Sequence, residues 1–291
     1  MASQYSASAE DEIPAPTGGT DWAKVARQFT GILRLELRRQ LFSRRALVLY
    51  FLALAPLAVV AIWSVSPFPV ERLAGPIDAA PFFAFIYTSY LGTSIFLSSL
   101  ILFMSLFRNE FLEKSLHYYF LTPVRRSVVV VGKYVAALTA TASVYAISTA
   151  LLYLLMMVPW GLDELSRFLF RGPGMGHLLT YVGISVLGCI GYGALFLLAG
   201  LIFRNPIIVA VLFTAWETIN FLLPSWLKKL SVFFYLWSLF PIQLSDGPFA
   251  ILAEPTPAYI SVPGLLIFTV AVLTLASWRA RTMEITYGGE E

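Results

Sequence analysis

The chain predicts an all-α membrane protein with six transmembrane helices, and three observations carry that prediction. Hydrophobic residues make up 58% of its 291 positions and charged residues only 13%, with mean hydropathy +0.76, outside the range of ordinary soluble domains. The apolar residues are also collected into long blocks, at 46–65, 82–107, 134–159, 178–203, 206–223 and 259–278. A helix rising about 1.5 Å per residue crosses a hydrocarbon core of about 30 Å with roughly 20 residues. Finally, the basic residues between the blocks are unevenly shared. Helices satisfy their own backbone hydrogen bonds in lipid, so the blocks read as helical spans.

Residues 1–20, MASQYSASAEDEIPAPTGGT, are small, polar and acidic, with Pro and Gly interspersed. They read as a disordered cytoplasmic tail and not as a secretory signal. Residues 21–45 follow as an amphipathic helix. Trp22, Val25, Phe29, Ile32 and Leu33 recur at helical spacing, while Lys24, Arg27, Arg34 and Arg38 occupy other faces. Asp21 is placed to cap its start. Such a helix lies along a membrane interface, where its arginines meet anionic lipid; they serve equally as a positive-inside anchor.

Span 1 (46–65) leads into 66–81, where Pro67, Pro69, Pro76 and Pro81 argue against a long helix. After span 3, segment 160–177 has room for a turn or two of helix before Gly172-Pro173-Gly174 stops it. Between spans 5 and 6, residues 224–258 begin PSWLKKLSVFFYLWSLFPIQL. The apolar part, 230–240, is too short to cross and predicts a re-entrant or interfacial helix on the outer side. Trp63, Trp160, Trp226, Trp237 and Trp278 read as interface anchors. Residues 282–291 form a second cytoplasmic tail.

With the amino terminus inside, 15 of the 20 Lys/Arg residues fall on the inner side. Only Arg72, Arg167, Arg171, Lys228 and Lys229 fall outside. The positive-inside rule therefore predicts both termini in the cytoplasm.

Catalytic chemistry finds little material. Cys189, the only cysteine, lies within span 4 and reads as a small packed residue, so neither a disulfide framework nor a thiolate metal site is expected. His117 and His177 fall on opposite sides of the membrane. Gly132-Lys133 resembles the end of a phosphate-binding loop, but Ser127 and Tyr134 stand where that motif needs Gly and Ser/Thr. A net charge of +3 gives no footing for nucleic acid. Any ATPase driving this protein is a separate chain.

The soluble-looking segment between spans 2 and 3, RNEFLEKSLHYYFLTPVRRSVVVVGK, stands out. Leu112, Leu116, Tyr119 and Phe120 form one helical stripe, Glu110 and Lys114 pair at i, i+4, and Pro123 ends the helix near Leu121 or Thr122. On physical grounds this is either a docking helix for a soluble partner or a helix resting on lipid headgroups.

The run from Glu110 through Lys133 resembles the pattern of ABC-2 type transporter permeases, at Glu113, Leu116, Leu121, Thr122, Pro123, Val124, Arg126, Gly132 and Lys133. That pattern has an acidic residue, a Leu-rich turn, Leu-Thr/Ser-Pro-Val-x-Arg, and Gly-Lys entering the third span. The likeness covers 22–281, including the basic helix before span 1 and the outer insertion before the last span. It implies a permease subunit of an ATP-driven exporter in the cell membrane. The permease would pair with a second protomer, identical or not, and with two cytoplasmic ABC ATPase subunits that hold the ATP and Mg; no cofactor is expected in this chain. It further implies that 108–126 is the coupling helix, with Glu110, Glu113, Lys114, Leu116, His117, Tyr118, Pro123, Arg125 and Arg126 facing the ATPase. A scaffold that couples an ATPase to an outer partner without passing substrate is the alternative.

Glu217, in span 5 with Asn220 after it, is the ionisable residue buried by the span assignment. Carboxyls at that depth line a path, carry a proton or hold helices together. A secondary transporter centred on Glu217 is the remaining reading. Small residues at four-residue spacing, Ala142, Ala146 and Ala150 in span 3 and Ser185, Cys189 and Gly193 in span 4, predict close helix packing within the protomer or between protomers.

Overall fold

The computed structural model describes residues 22–67, 73–112, 126–203, 205–219, 224–228, 231–242 and 256–282, and among these every regular element is helical. In chain order they are α1 (Trp22–Phe42), α2 (Arg44–Val65), α3 (Pro76–Ser89), a π-helical segment (Tyr90–Ile95) and α4 (Phe96–Leu112). There follow α5 (Arg126–Met157), with a 3₁₀ turn at Val158–Trp160, then α6 (Leu162–Arg171) and α7 (Gly174–Ile202). The last are α8 (Pro206–Ile219), α9 (Ser225–Lys228), α10 (Val232–Trp237) and α11 (Ala258–Thr282).

Five helical runs are long and apolar enough to cross a bilayer: Ala46–Val65, Pro76–Leu106, Ser127–Trp160, Gly174–Ile202 and Ala258–Ala280. The block at 206–223 does not make a sixth crossing helix within the described residues. α8 has 14 residues, about 21 Å of helix against a core of about 30 Å.

α7 is the central helix, packed against α4, α5, α11 and α10. Its glycines make this possible. A Cβ at Gly193 would lie 2.6 Å from the Phe103 ring, and one at Gly200 would lie 2.9 Å from the Met104 backbone. The stripe Ser185, Cys189, Gly193 is buried within the protomer, so it packs α7 against its own neighbours. Ala142, Ala146 and Ala150 are half-buried. α2 and α11 form the periphery and turn apolar side chains outward, among them Phe51, Ile62, Ile267 and Val270. Such an outward apolar surface suits lipid.

Polar side chains tie the bundle through buried hydrogen bonds. Tyr87 donates its hydroxyl hydrogen to the Tyr181 carbonyl (2.8 Å), which makes Ser185 the donor to Tyr87 (2.6 Å) and Thr149 the donor to Ser185 (2.7 Å). This chain joins α5, α7 and α3. Ser148 donates to Ala53 O, Ser64 to Leu155 O, and Tyr134 to Ile190 O. Each bond stitches a pair of helices where no water competes.

Several boundaries differ from the sequence expectation. Helix begins at Pro76, six residues before the expected start of span 2. Proline suits the first helical position, and Asp78 turns back to accept the Ala74 N–H at 3.2 Å, so this proline-containing segment starts a helix. Pro81 lies inside it. α5 begins at Arg126, eight residues before the expected start of span 3. α4 continues to Leu112, so 108–112 prolong span 2 and do not open a separate helix.

At the end away from α1, α6 fills most of the expected outer segment. Leu165, Phe168 and Leu169 are buried, with Asp163 and Glu164 in the first turn and Arg171 in the last, the order the helix dipole favours. Gly172-Pro173-Gly174 ends it as expected. A Cβ at Gly174 would meet the Phe168 ring at 2.7 Å, so the turn closes only with glycine there.

Candidate functional site

Two polar arrangements stand out, one at the α1 end of the bundle and one near the middle of α7. The first concerns the Gly132-Lys133 pair. α1 lies against the first turns of α5, because Gly132 has no side chain: a Cβ there would touch Ile32 Cγ2 at 3.1 Å. Phe29, Ile32 and Leu33 of the expected stripe are half-buried, while Arg27, Arg34 and Arg38 are exposed. The stripe therefore meets protein at α5. On the same face Glu36 is 6% and Gln40 6% exposed, and Lys133 is 1% exposed. Lys133 Nζ lies 3.7 Å from Glu36 Oε2, and Gln40 Nε2 donates to Glu36 Oε1 at 2.9 Å. Glu36 escaped the sequence reading. Its signal was one acidic residue in a basic helix, four positions before a glutamine.

The second arrangement centres on Glu217, in the last turn of α8. Its carboxylate accepts hydrogen bonds from Tyr192 of α7 (Oη to Oε1, 3.3 Å) and from the Ser231 hydroxyl, which faces Oε2. Ser231 is the N-cap of α10 and also accepts the Phe234 N–H at 3.3 Å. Chain positions far apart in sequence thus converge on one carboxylate.

The depth of this site follows from its neighbours along α7. A Cβ at Gly191 would meet Val232, and one at Gly188 would meet Leu236. The ring of Phe240 lies 5.8 Å from that of Tyr181, nearer the start of α7. α10 therefore runs beside the N-terminal half of α7, and α8 approaches its middle from the other direction. Among the described residues, α8 ends and α10 begins beside the Glu217 carboxylate. The helix expected within 230–240 is present as α10, and Val232, Phe234, Leu236 and Phe240 are buried in the bundle. Trp237 packs against the core as well. Lys228, assigned by sequence to the outer loop, is 5% exposed. Helix ends that meet inside a membrane bundle, where backbone and side-chain polar groups come together, are a common seat of substrate and ion sites.

A cavity of about 200 Å³ opens beside Glu217, lined by Thr88, Gly92, Thr93, Phe96, Tyr192, Thr214, Glu217, Thr218 and Phe233. Gly92 and Thr93 belong to the π-helical segment, whose wide turn displaces the backbone where the cavity lies. Tyr145 steadies that turn by donating to Ser94 O at 2.7 Å, and Ser98 in turn donates to Tyr145. A π-bulge inside an α-helix is often a functional feature. Of the lining residues, sequence reasoning reached Glu217. Thr214 and Thr218 share α8 with it, and the others come from separate elements, with Gly92-Thr93 in an apolar run as a linear hint.

The remaining expected positions divide plainly. Glu110 lies on the last turns of α4 and Arg126 is the first residue of α5. Glu113, Lys114, Leu116, His117, Tyr118, Pro123 and Arg125 lie outside the described residues, as do Asn220 and the tails 1–20 and 283–291. Comparison of the chain with protein-family models, with curated proteins and with solved structures finds no match.

Proposed function

We propose that this protein is the membrane-spanning permease subunit of an ATP-driven exporter of the ABC-2 type, working in the cell membrane with both termini in the cytoplasm. ATP hydrolysis takes place in partner ABC ATPase subunits, and a second permease protomer completes the path. The supporting sequence feature is the Glu113–Lys133 pattern with its flanking spans. The observation that carries the reading is the clasp at the end of that pattern. Segment 108–126 joins α4 to α5, and immediately beyond it Gly132 and Lys133 fasten α5 to α1 through Glu36. A push on the segment is thereby passed to α1, α4 and α5 together, as rigid-body switching requires.

The test is a pull-down of the tagged protein from its native membrane in mild detergent, assayed for copurified ATPase. The wild type is run beside a triple variant carrying Glu113→Ala, Leu116→Ala and Arg126→Ala. ATPase copurifying with the wild type and lost from the folded variant is the expected result. Absence of any copurified ATPase overturns the reading.

A second reading has its own support in the Glu217 cavity where α8 and α10 meet. That arrangement suits a secondary transporter, in which the carboxylate handles the coupling ion. Substrate uptake into vesicles driven by an ion gradient without ATP would favour it.

A further inference from the structure

We propose that the cavity beside Glu217 is a binding site for a small organic ammonium group, which makes amine-bearing compounds the substrate class of the permease. The inference rests on the permease reading above and takes its chemistry from four features of the cavity.

The first is charge. Glu217 meets the hydroxyls of Tyr192 and Ser231, and among the described residues no basic side chain pairs with it. A carboxylate held by neutral donors keeps its capacity to attract a cation. The second is the wall. Phe96, Tyr192 and Phe233 all line the space, and the Phe96 and Tyr192 rings meet nearly at right angles with centroids 5.2 Å apart. Aromatic faces beside a carboxylate are the arrangement that attracts substituted ammonium groups, which carry their charge on a greasy surface.

The third is size. About 200 Å³ is the room of roughly six or seven waters at about 30 Å³ each. A bare alkali ion would leave most of it to solvent, whereas a compact alkylammonium fills it. Gly92 helps to keep the space open, since its missing Cβ would stand 3.7 Å from Phe233 Cε2. The fourth is the remaining polarity. Thr93, Thr214 and Thr218 line the cavity as exposed residues, and Thr88 gives its hydrogen to Ala84 O at 2.8 Å, leaving its oxygen as an acceptor. Such acceptors suit the N–H groups of a primary or secondary amine or the hydroxyl of an amino alcohol.

The experiment uses the full chain purified into lipid nanodiscs and radiolabelled tetramethylammonium as probe. Its competitors are sodium and the neutral, similarly shaped 2,2-dimethyl-1-propanol. Saturable binding is expected, displaced poorly by sodium and by the neutral alcohol. Glu217→Gln, which keeps the hydrogen-bonding shape, should weaken it by roughly tenfold or more through loss of the charge. Phe233→Leu should weaken it about threefold to tenfold through loss of the ring face. Size-exclusion profiles and thermal melts establish that each variant is folded, and either variant alone suffices to judge the site. No saturable binding to the folded wild type, binding unchanged in the folded variants, or equal affinity for the neutral alcohol overturns the inference. Saturable sodium binding that excludes the probe overturns the ammonium class. These outcomes are independent of the ATPase pull-down, so the failure of one reading is distinguishable from the failure of the other.

Discussion

Lys133 and Glu36 illustrate what a single buried charge does in this fold. Both are almost fully enclosed, and Gln40 supplies a hydrogen bond to the second carboxylate oxygen. Removing one partner of such a pair leaves the other charge without compensation, at a cost of about 3–5 kcal/mol. Lys133→Met should therefore lower the denaturation midpoint of the purified protein sharply, measured by unfolding in mixed detergent micelles. Adding Glu36→Gln to that variant removes the orphaned charge and keeps a partner for Gln40, so most of the stability should return. A double variant as unstable as the single one would show that the pair is not the source of the effect. The linear pattern pointed to Lys133 as the end of a motif. It could not show that Glu36, 97 positions earlier, is what the motif meets.

Among the helices, α7 shows how glycine acts by position. Gly200 lies against backbone, with a prospective Cβ 2.9 Å from Met104 Cα and 3.0 Å from its carbonyl oxygen. Main chain cannot rotate aside as a side-chain tip does, so Gly200→Ala should push α4 from α7 and cost about 1–3 kcal/mol. Gly183 lies on the same helix with nothing within 4 Å of its prospective Cβ. Gly183→Ala should gain about 0.5–1 kcal/mol, since alanine loses less backbone freedom in a helix. Thermal melts of the two variants should thus move in opposite directions. The meeting of α8 and α10 beside Glu217 is the arrangement that sequence reasoning came nearest to without reaching. The apolar run at 206–223 had the length of a span, and nothing local showed that the Glu217 carboxylate within it lies against Ser231. The π-helical turn was equally hidden, because Tyr90–Ile95 has no Pro and is held by Tyr145 from another helix.

On the scale of the whole molecule, helix ends sort into two layers. Trp160 donates to Leu73 O at 3.3 Å and Ser64 to Leu155 O at 2.9 Å at one end, while Lys133 meets Glu36 at the other. Cys189 is buried, which makes cysteine accessibility a clean reporter of sidedness. In a Cys189→Ala background, Arg167→Cys on α6 should react with a membrane-impermeant maleimide from outside intact cells. Arg38→Cys on α1 should react only after permeabilisation. The reverse pattern would invert the orientation taken from the basic residues, and reaction of both in intact cells would break the two-layer arrangement.

Sequence alone determined that this is an all-helical chain with several membrane-length spans. Length and hydropathy are properties of contiguous residues, and the cost of unpaired backbone in lipid permits few alternatives. It also singled out Glu217, because a carboxylate in an apolar run is conspicuous wherever the run packs. Tertiary structure decided what that carboxylate faces: Tyr192, Ser231, the π-helical turn and the aromatic wall arrive from separate helices. It also decided that α1 rests on α5 and that α8 and α10 meet beside Glu217. These are outcomes of close approach between helices, set by missing side chains at Gly132, Gly188 and Gly191 and by hydroxyls that find partners across the bundle. The physical reason is distance along the chain: helical periodicity tells which face is apolar, and only packing tells which partner that face meets.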